Sequence, residues 1–341
     1  MIRDHDYKPA PRFQKLPAEK PKLFFGCELE VEVPSREDDD ALSDQVMRKA
    51  PFVYCKYDGS LNYGFEIVSH PMSWRWLKDN KNKETISGLL AWLDKKGVKS
   101  YNTRSCGLHV HVSKAGLGRG VLERMLRFVF NPEHASFVRK ISRRSKSNLE
   151  HWARISLDRY DRDEALNPRS RDKDRMLGLN TLPQNTAEFR LFRGTLSYDG
   201  FMRAMEFCHS IIHAIKSKKD DITADDLSAY VEAKADEYPN LWAFMKKHGL
   251  GAAGAAAKAA EAGQLEGASE APAAVAPAAL TASHLSLETL EAVYKARRSG
   301  QTWGAIEDRL GLRRANGMTA FHAYEKFARL NGGRVMVGAA S

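Results

Sequence analysis

The stretch Gly26-Cys27-Glu28-Leu29-Glu30-Val31-Glu32-Val33 alternates acidic and aliphatic side chains, and it narrows the choice of fold more than any other feature. Successive side chains of an extended chain point to opposite faces, so Glu28, Glu30 and Glu32 share one face while Leu29, Val31 and Val33 share the other. The segment therefore belongs to a sheet with one face covered and the other polar. Neighbours at i,i+2 stand about 6.6 Å apart, where like charges repel weakly in water but strongly in a sheltered site, unless a cation lies among them. Period-2 patterns cover 24–33, 62–69, 107–113 and 186–193. Helical spacing appears at 84–96 (Ile86, Leu89, Leu90, Leu93), 120–130 (Val121, Met125, Phe128, Val129) and 201–216 (Met205, Cys208, Ile211, Ile212, Ile215). Thr223, with Asp226 three residues on, predicts another helix start. Strands not separated by single crossover helices predict an α+β domain with a largely antiparallel sheet and flanking helices.

Each patterned strand carries chemistry on its polar face. Lys56-Tyr57-Asp58-Gly59-Ser60-Leu61 reads as a tight Asp-Gly turn feeding Gly64-Phe65-Glu66-Ile67-Val68-Ser69, a strand with a single acid. In Cys106-Gly107-Leu108-His109-Val110-His111-Val112 both histidines face one way, and in Thr186-Ala187-Glu188-Phe189-Arg190-Leu191-Phe192-Arg193 Glu188 and Arg190 share a face. A lone Glu-x-Glu is ordinarily a solvated strand face, and a lone histidine pair ordinarily a surface feature. If the four strands lie in one sheet, however, their polar faces converge on one concave site of carboxylates, imidazoles and an arginine. Oxygen-rich ligation with at most one imidazole suits Mg²⁺ or Mn²⁺ better than Zn²⁺. Cys106, just before Leu108, reads as packing rather than as a nucleophile.

These motifs, in this order, resemble the amidoligase family, relatives of glutamine synthetase and of glutamate–cysteine ligases, over about residues 23–210. The resemblance implies a curved antiparallel sheet with helices on its outer side, as in the glutamine synthetase catalytic domain. It implies ATP and Mg²⁺ (or Mn²⁺) as cofactors, and a carboxylate–amine ligase. In that chemistry the γ-phosphoryl group moves to a carboxylate and an amine displaces it to give an amide. Carried over by motif, Glu28, Glu30, Glu66, His109 and Glu188 match metal ligands, and Arg190 matches an arginine on the phosphate or reacting carboxylate. Glu28, Glu188 and Arg190 form the implied catalytic set; Asp58, Ser60, His111, Asn180 and Arg193 are candidates for binding substrate or ATP. The substrates are a carboxylate and an amine of unspecified kind: a small molecule, a peptide, a cell-wall precursor or a protein.

Residues 139–175 carry twelve bases against seven acids. Such runs are commonly solvated, salt-bridged faces, yet a ligase must offset the charge of ATP, so some of Arg139, Arg143, Arg144 and Arg154 are expected at the phosphates. Two other readings remain. One is a metal-dependent hydrolase built on His109 and His111. The other is a non-catalytic nucleic-acid-binding protein relying on the basic run and the C-terminus. No P-loop or dinucleotide-binding pattern occurs.

The whole chain of 341 residues has a net charge of +10, with 43% hydrophobic and 28% charged residues, which excludes a mostly disordered chain. No apolar run approaches the ~20 residues of a membrane span, and the polar start shows no secretory signal, so a cytoplasmic protein with no membrane contact is expected. Four scattered cysteines without a C-x-x-C pair fit reduced thiols. Composition divides the chain into a flexible arm (1–20), a catalytic domain (21–249), an Ala/Gly/Pro-rich linker (250–283), a three-helix module (284–331) and a tail (332–341). The module resembles a helix-turn-helix and is a candidate for DNA or protein contact. Relatives of the resembled family often assemble, so a homo-oligomer is a further expectation.

Overall fold

The acidic and aliphatic alternation yields the strand it predicts. β1 spans Phe24–Glu32, with Phe25, Cys27, Leu29 and Val31 buried on one side. The computed structural model describes residues 2–251 except 36–38, 60, 62, 104, 158 and 168–174, and only the backbone of 159–161. Ser60, the linker beyond 251, the 284–331 module and the 332–341 tail lie outside the described residues.

The other strands are β2 (Val53–Lys56), β3 (Gly64–Ser69), β4 (Met72–Ser73), β5 (Gly107–Ser113), β6 (Leu179–Asn180) and β7 (Thr186–Arg193). They form one sheet in the order β2-β3-β1-β5-β7-β6, with β4 paired to the start of β1, and every pairing is antiparallel. The fold is therefore α+β, an open antiparallel sheet with flanking helices. The four patterned segments are the adjacent strands β3-β1-β5-β7, so their polar faces lie side by side.

The apolar face is covered by helices. α8 (Tyr198–Ser217) has fifteen of its twenty residues buried, because the sheet lies on one side of it and other helices lie on the rest. Phe207 meets Phe189 and Phe192 of β7 edge-on, with centroids 6.3 and 5.9 Å apart. α1 (Asp39–Lys49) adds Leu42 and Val46, and α3 (Asn80–Lys95) adds Ile86, Leu89, Leu90 and Leu93, on the helical spacing read from the sequence. α4 (Val121–Val129), α9 (Ala224–Glu232) and α10 (Pro239–Lys247) pack against α8, and the shorter α2 (Trp74–Lys78), α5 (Ala135–Ser142), α6 (Lys146–Trp152) and α7 (Arg159–Leu166) complete the α-helices among the described residues. Among the described residues no helix is long and apolar enough to cross a membrane.

Two features depart from the sequence reading. Leu108 faces Phe192 while Val110 faces Phe189, so two residues of β7, Arg190 and Leu191, oppose the single His109 of β5. This bulge resets the alternation, turning Phe192 into the core beside Phe207 instead of onto the face of Glu188. The second concerns the expected flexible arm, residues 1–20, whose described part, residues 2–20, pairs with the sheet at two points. Arg3 bridges Lys56 on the outer edge of β2, Gln14 bridges Met72, and Ile2 is buried. An edge strand leaves backbone donors and acceptors unpaired, and Arg3 N donates to Cys55 O at 2.9 Å while Tyr57 N donates to Arg3 O at 2.9 Å. Backbone pairing of this kind leaves no hydrophobic period for the sequence to display.

Candidate active site

Register assembles the polar face. Lys56 of β2 lies opposite Glu66 of β3, and Glu66 lies opposite Glu30 of β1. One step along, Glu28 lies opposite His109 of β5. A third row joins His111 of β5 to Glu188 of β7 and Glu188 to Asn180 of β6. These side chains line a cavity of about 610 Å³, which also admits His5, Asp6 and Lys8 from the N-terminal segment.

Contacts across the rows are short. Lys56 Nζ stands 3.0 Å from Glu66 Oε2 and 3.9 Å from Glu28 Oε1. His109 Nδ1 lies 3.3 Å from Glu188 Oε1 and 3.6 Å from Glu28 Oε2, and His111 Nε2 lies 3.5 Å from Glu28 Oε1. Arg190 Nη1 donates to Glu188 Oε1 at 2.6 Å, and Asn180 Nδ2 to Glu188 Oε2 at 2.8 Å. The Gly107 N–H donates to Glu30 Oε2 at 2.5 Å.

So much buried charge separates the ionisation of neighbouring acids. Burial pushes the Glu66 carboxyl up, a hydrogen bond with Asp58 and the charge of Glu28 add to this, and it reaches about 9 despite Lys56. Burial also opposes ionisation of Glu28, but the charge of His111 and hydrogen bonds from both histidines outweigh it and hold Glu28 well below the usual carboxylate range. Glu188 is lowered in the same way, with burial overcome by His111, His109 and Arg190. His111 is raised, because Glu28 and Glu188 outweigh its burial. The acids are thus offset by Lys56, by Arg190 and by a proton on Glu66, and their charge draws His111 towards its protonated form.

Two sets of donors have the composition of a cation site. Glu28, His111 and Glu188 each offer an atom within 4.8 Å of the others, as do Glu30, Asp58 and Glu66. His111 Nε2 is buried 3.5 Å from Glu28 Oε1, while its Nδ1 meets Thr186 Oγ1 at 3.1 Å. A cation among the carboxylates would take the place of the proton on Nε2 while Thr186 holds Nδ1, the arrangement that orients metal-binding imidazoles. One set is all oxygen and the other holds a single imidazole, which fits Mg²⁺ or Mn²⁺.

The structure brings Glu28, Glu30, Asp58, Glu66, His109, His111, Arg144, Asn180, Glu188 and Arg190 to this cavity. Within it His111 joins the donor triad and His109 sits between the two triads, where the sequence reading gives His109 to metal and His111 to substrate. Arg143 and Arg193 do not line the cavity, and of Arg139, Arg143, Arg144 and Arg154 only Arg144 does. Arg143, the residue after α5 (Ala135–Ser142), takes a left-handed conformation (φ 60°) and diverges from Arg144, while Arg193 sits at the end of β7 with its guanidinium over the Tyr101 ring, beyond the cavity lining. Cys106 is buried, and burial raises its thiol to about 12, as packing requires. The sequence missed Lys56 and Thr186. Leu61 N donates to Asp58 O at 3.2 Å, so the chain turns one residue later than a two-residue Asp-Gly hairpin would, and the β2–β3 loop is longer; a tight hairpin register would not place Lys56 against Glu66. No known protein-family model matches the chain, and no curated protein matches it.

Proposed function

We propose that the protein is an ATP-dependent carboxylate–amine ligase of the amidoligase kind, built on a glutamine synthetase-like sheet. The observation that carries this reading is the meeting of two oxygen-rich donor triads with Arg190 and Arg144 on one concave sheet face. Glu28, His111 and Glu188 would hold one divalent ion and Glu30, Asp58 and Glu66 another. Such ions neutralise phosphate charge as the γ-phosphoryl group is transferred. Each residue has a separate task. Arg190 is held by Glu188 while its Nε remains without a partner, and Arg144 is buried with its Nε likewise unpaired, so both keep donors for an anion. Thr186 and Asn180 fix His111 and Glu188. Lys56 offsets Glu28 and meets Glu66 at 3.0 Å on the far side. The reaction transfers the γ-phosphoryl group to a carboxylate with release of ADP, and the amine then displaces phosphate to form the amide.

The test is ADP formation with Mg²⁺, ATP and mixed carboxylate and amine pools. Glu28→Gln and Glu188→Gln each remove a negative ligand and almost no volume, so turnover should vanish while circular dichroism stays unchanged. Undiminished turnover in both variants rejects the site. Product formed in ATP-free buffer would instead favour hydrolysis.

A further inference from the structure

Outside the acidic cavity three arginines gather without an acid. Arg203 lies in the second turn of α8 and is 5% exposed, with its guanidinium 4.5 Å above the ring of Phe244. Its Nε is fully buried and has no hydrogen-bond partner. α5 packs on β7, which ends at Arg193, and α8 begins five residues later, so Arg143, Arg193 and Arg203 stand within reach of one another's charge, with no acid among the groups acting on Arg203. Arg193, opposite Gly107 at the end of β7, lies over Tyr101 at 5.9 Å. Among the described residues none of the three guanidinium groups makes a hydrogen bond or ion pair. His248 and Lys247, at the end of α10, belong to the same positive field, since Arg143, Arg203 and Lys247 all act on His248.

The backbone sets this cluster apart from the cavity. Arg143 has φ 60°, a strained value for a side chain of its size. Consecutive arginines then diverge. Arg144 responds to Glu30 and Arg190 in the cavity, whereas Arg143 acts on Arg203. A buried guanidinium with no partner is costly, and two further cations nearby add to the cost. Arginine forks match tetrahedral oxyanions, and a dianion would satisfy several of these donors together.

We infer that Arg143, Arg193 and Arg203 form an anion site for a phosphate group, free or at the end of a monoester, separate from the acidic cavity. The site is independent of the ligase reading, so it is tested without Mg²⁺ or nucleotide. The full chain is titrated calorimetrically with inorganic phosphate and, separately, with methyl phosphate. Saturable binding is expected, and whichever titrant binds more tightly identifies the source of the phosphate. Arg143→Gln and Arg193→Gln change side chains outside the core, and each should weaken binding about tenfold. Arg203→Met keeps the packing on Phe244 and should abolish binding, yet in phosphate-free buffer it should melt no lower than the parent, because it removes an uncompensated buried charge. Binding unaltered in both Arg143→Gln and Arg193→Gln, or no saturable binding of either titrant up to about 10 mM, overturns the site.

Discussion

Gly107 shows how much of the site depends on a missing side chain. A Cβ there would stand 2.1 Å from Arg144 Nη2 and 3.2 Å from His109 Nε2, so only glycine lets the arginine lie across β5. The obstructed atom is the far end of a flexible side chain, which can move without disturbing the sheet. Gly107→Ala should therefore keep the fold and displace Arg144. ADP formation is expected to fall about a hundredfold, the scale on which removing one preorganised donor acts. Equal turnover in Gly107→Ala and the parent would remove Arg144 from the phosphate-binding set. Glu66 illustrates a second residue-scale effect. Its proton follows from burial and from Asp58 and Glu28, none of which is adjacent to it in sequence.

Helices supply two further tests. Thr223 Oγ1 accepts from Asp226 N at 3.1 Å and Asp226 Oδ2 accepts from Thr223 N at 3.0 Å, a reciprocal cap on α9 that the sequence anticipates. Thr223→Ala should cost about 1 kcal/mol, measurable as a lower denaturation midpoint with an unchanged slope. On α8, His209 is stacked between Trp74 (4.0 Å) and His213 (4.2 Å), and its Nδ1 lies 2.9 Å from the Tyr238 hydroxyl. Burial, with help from the charges of His213, Lys78 and Lys216, depresses its pKa from 6.5 to about 2. The folded state then holds His209 neutral at pH values where the unfolded chain binds a proton. The resulting stability is present above pH 6.5 and is lost as pH falls below it, by about 2 kcal/mol at pH 5. Melting curves should show the parent losing stability between pH 7 and 5 more steeply than His209→Gln. Parallel pH profiles would mean that His209 titrates normally in the fold.

At the scale of the whole molecule, the sheet works as a device for concentrating charge. Helices cover one face, so the opposite face of the same strands gathers acids that Lys56 and Arg190 offset only in part. If the triads bind divalent ions, binding must stabilise the fold by mass action. Mg²⁺ at ten times its dissociation constant should contribute about 1.4 kcal/mol and raise the melting temperature by about 2–4 °C. Glu28→Gln and Glu66→Gln should each reduce this gain, and EDTA should abolish it in the parent. A melting temperature indifferent to Mg²⁺ and Mn²⁺ would count against both triads. The N-terminal segment also belongs to this scale. By pairing with β2 and β4 it closes two open edges and brings His5, Asp6 and Lys8 to the cavity.

Sequence alone determined the four central strands, their apolar and polar faces, the helices α3, α4 and α8, and the α9 cap. Each rests on a local period or a contact three residues apart, which the chain displays without reference to distant parts. It also named ten of the side chains that line the cavity, because alternation fixes a face wherever a strand forms. Strand order, register and the bulge were decided only in three dimensions, since pairing energy depends on which strands meet. That is why Lys56 reached Glu66 and why His111 joined the acidic triad. The N-terminal segment found its place through backbone hydrogen bonds, which every residue can accept and every residue but proline can donate, and which so leave no trace in side-chain pattern.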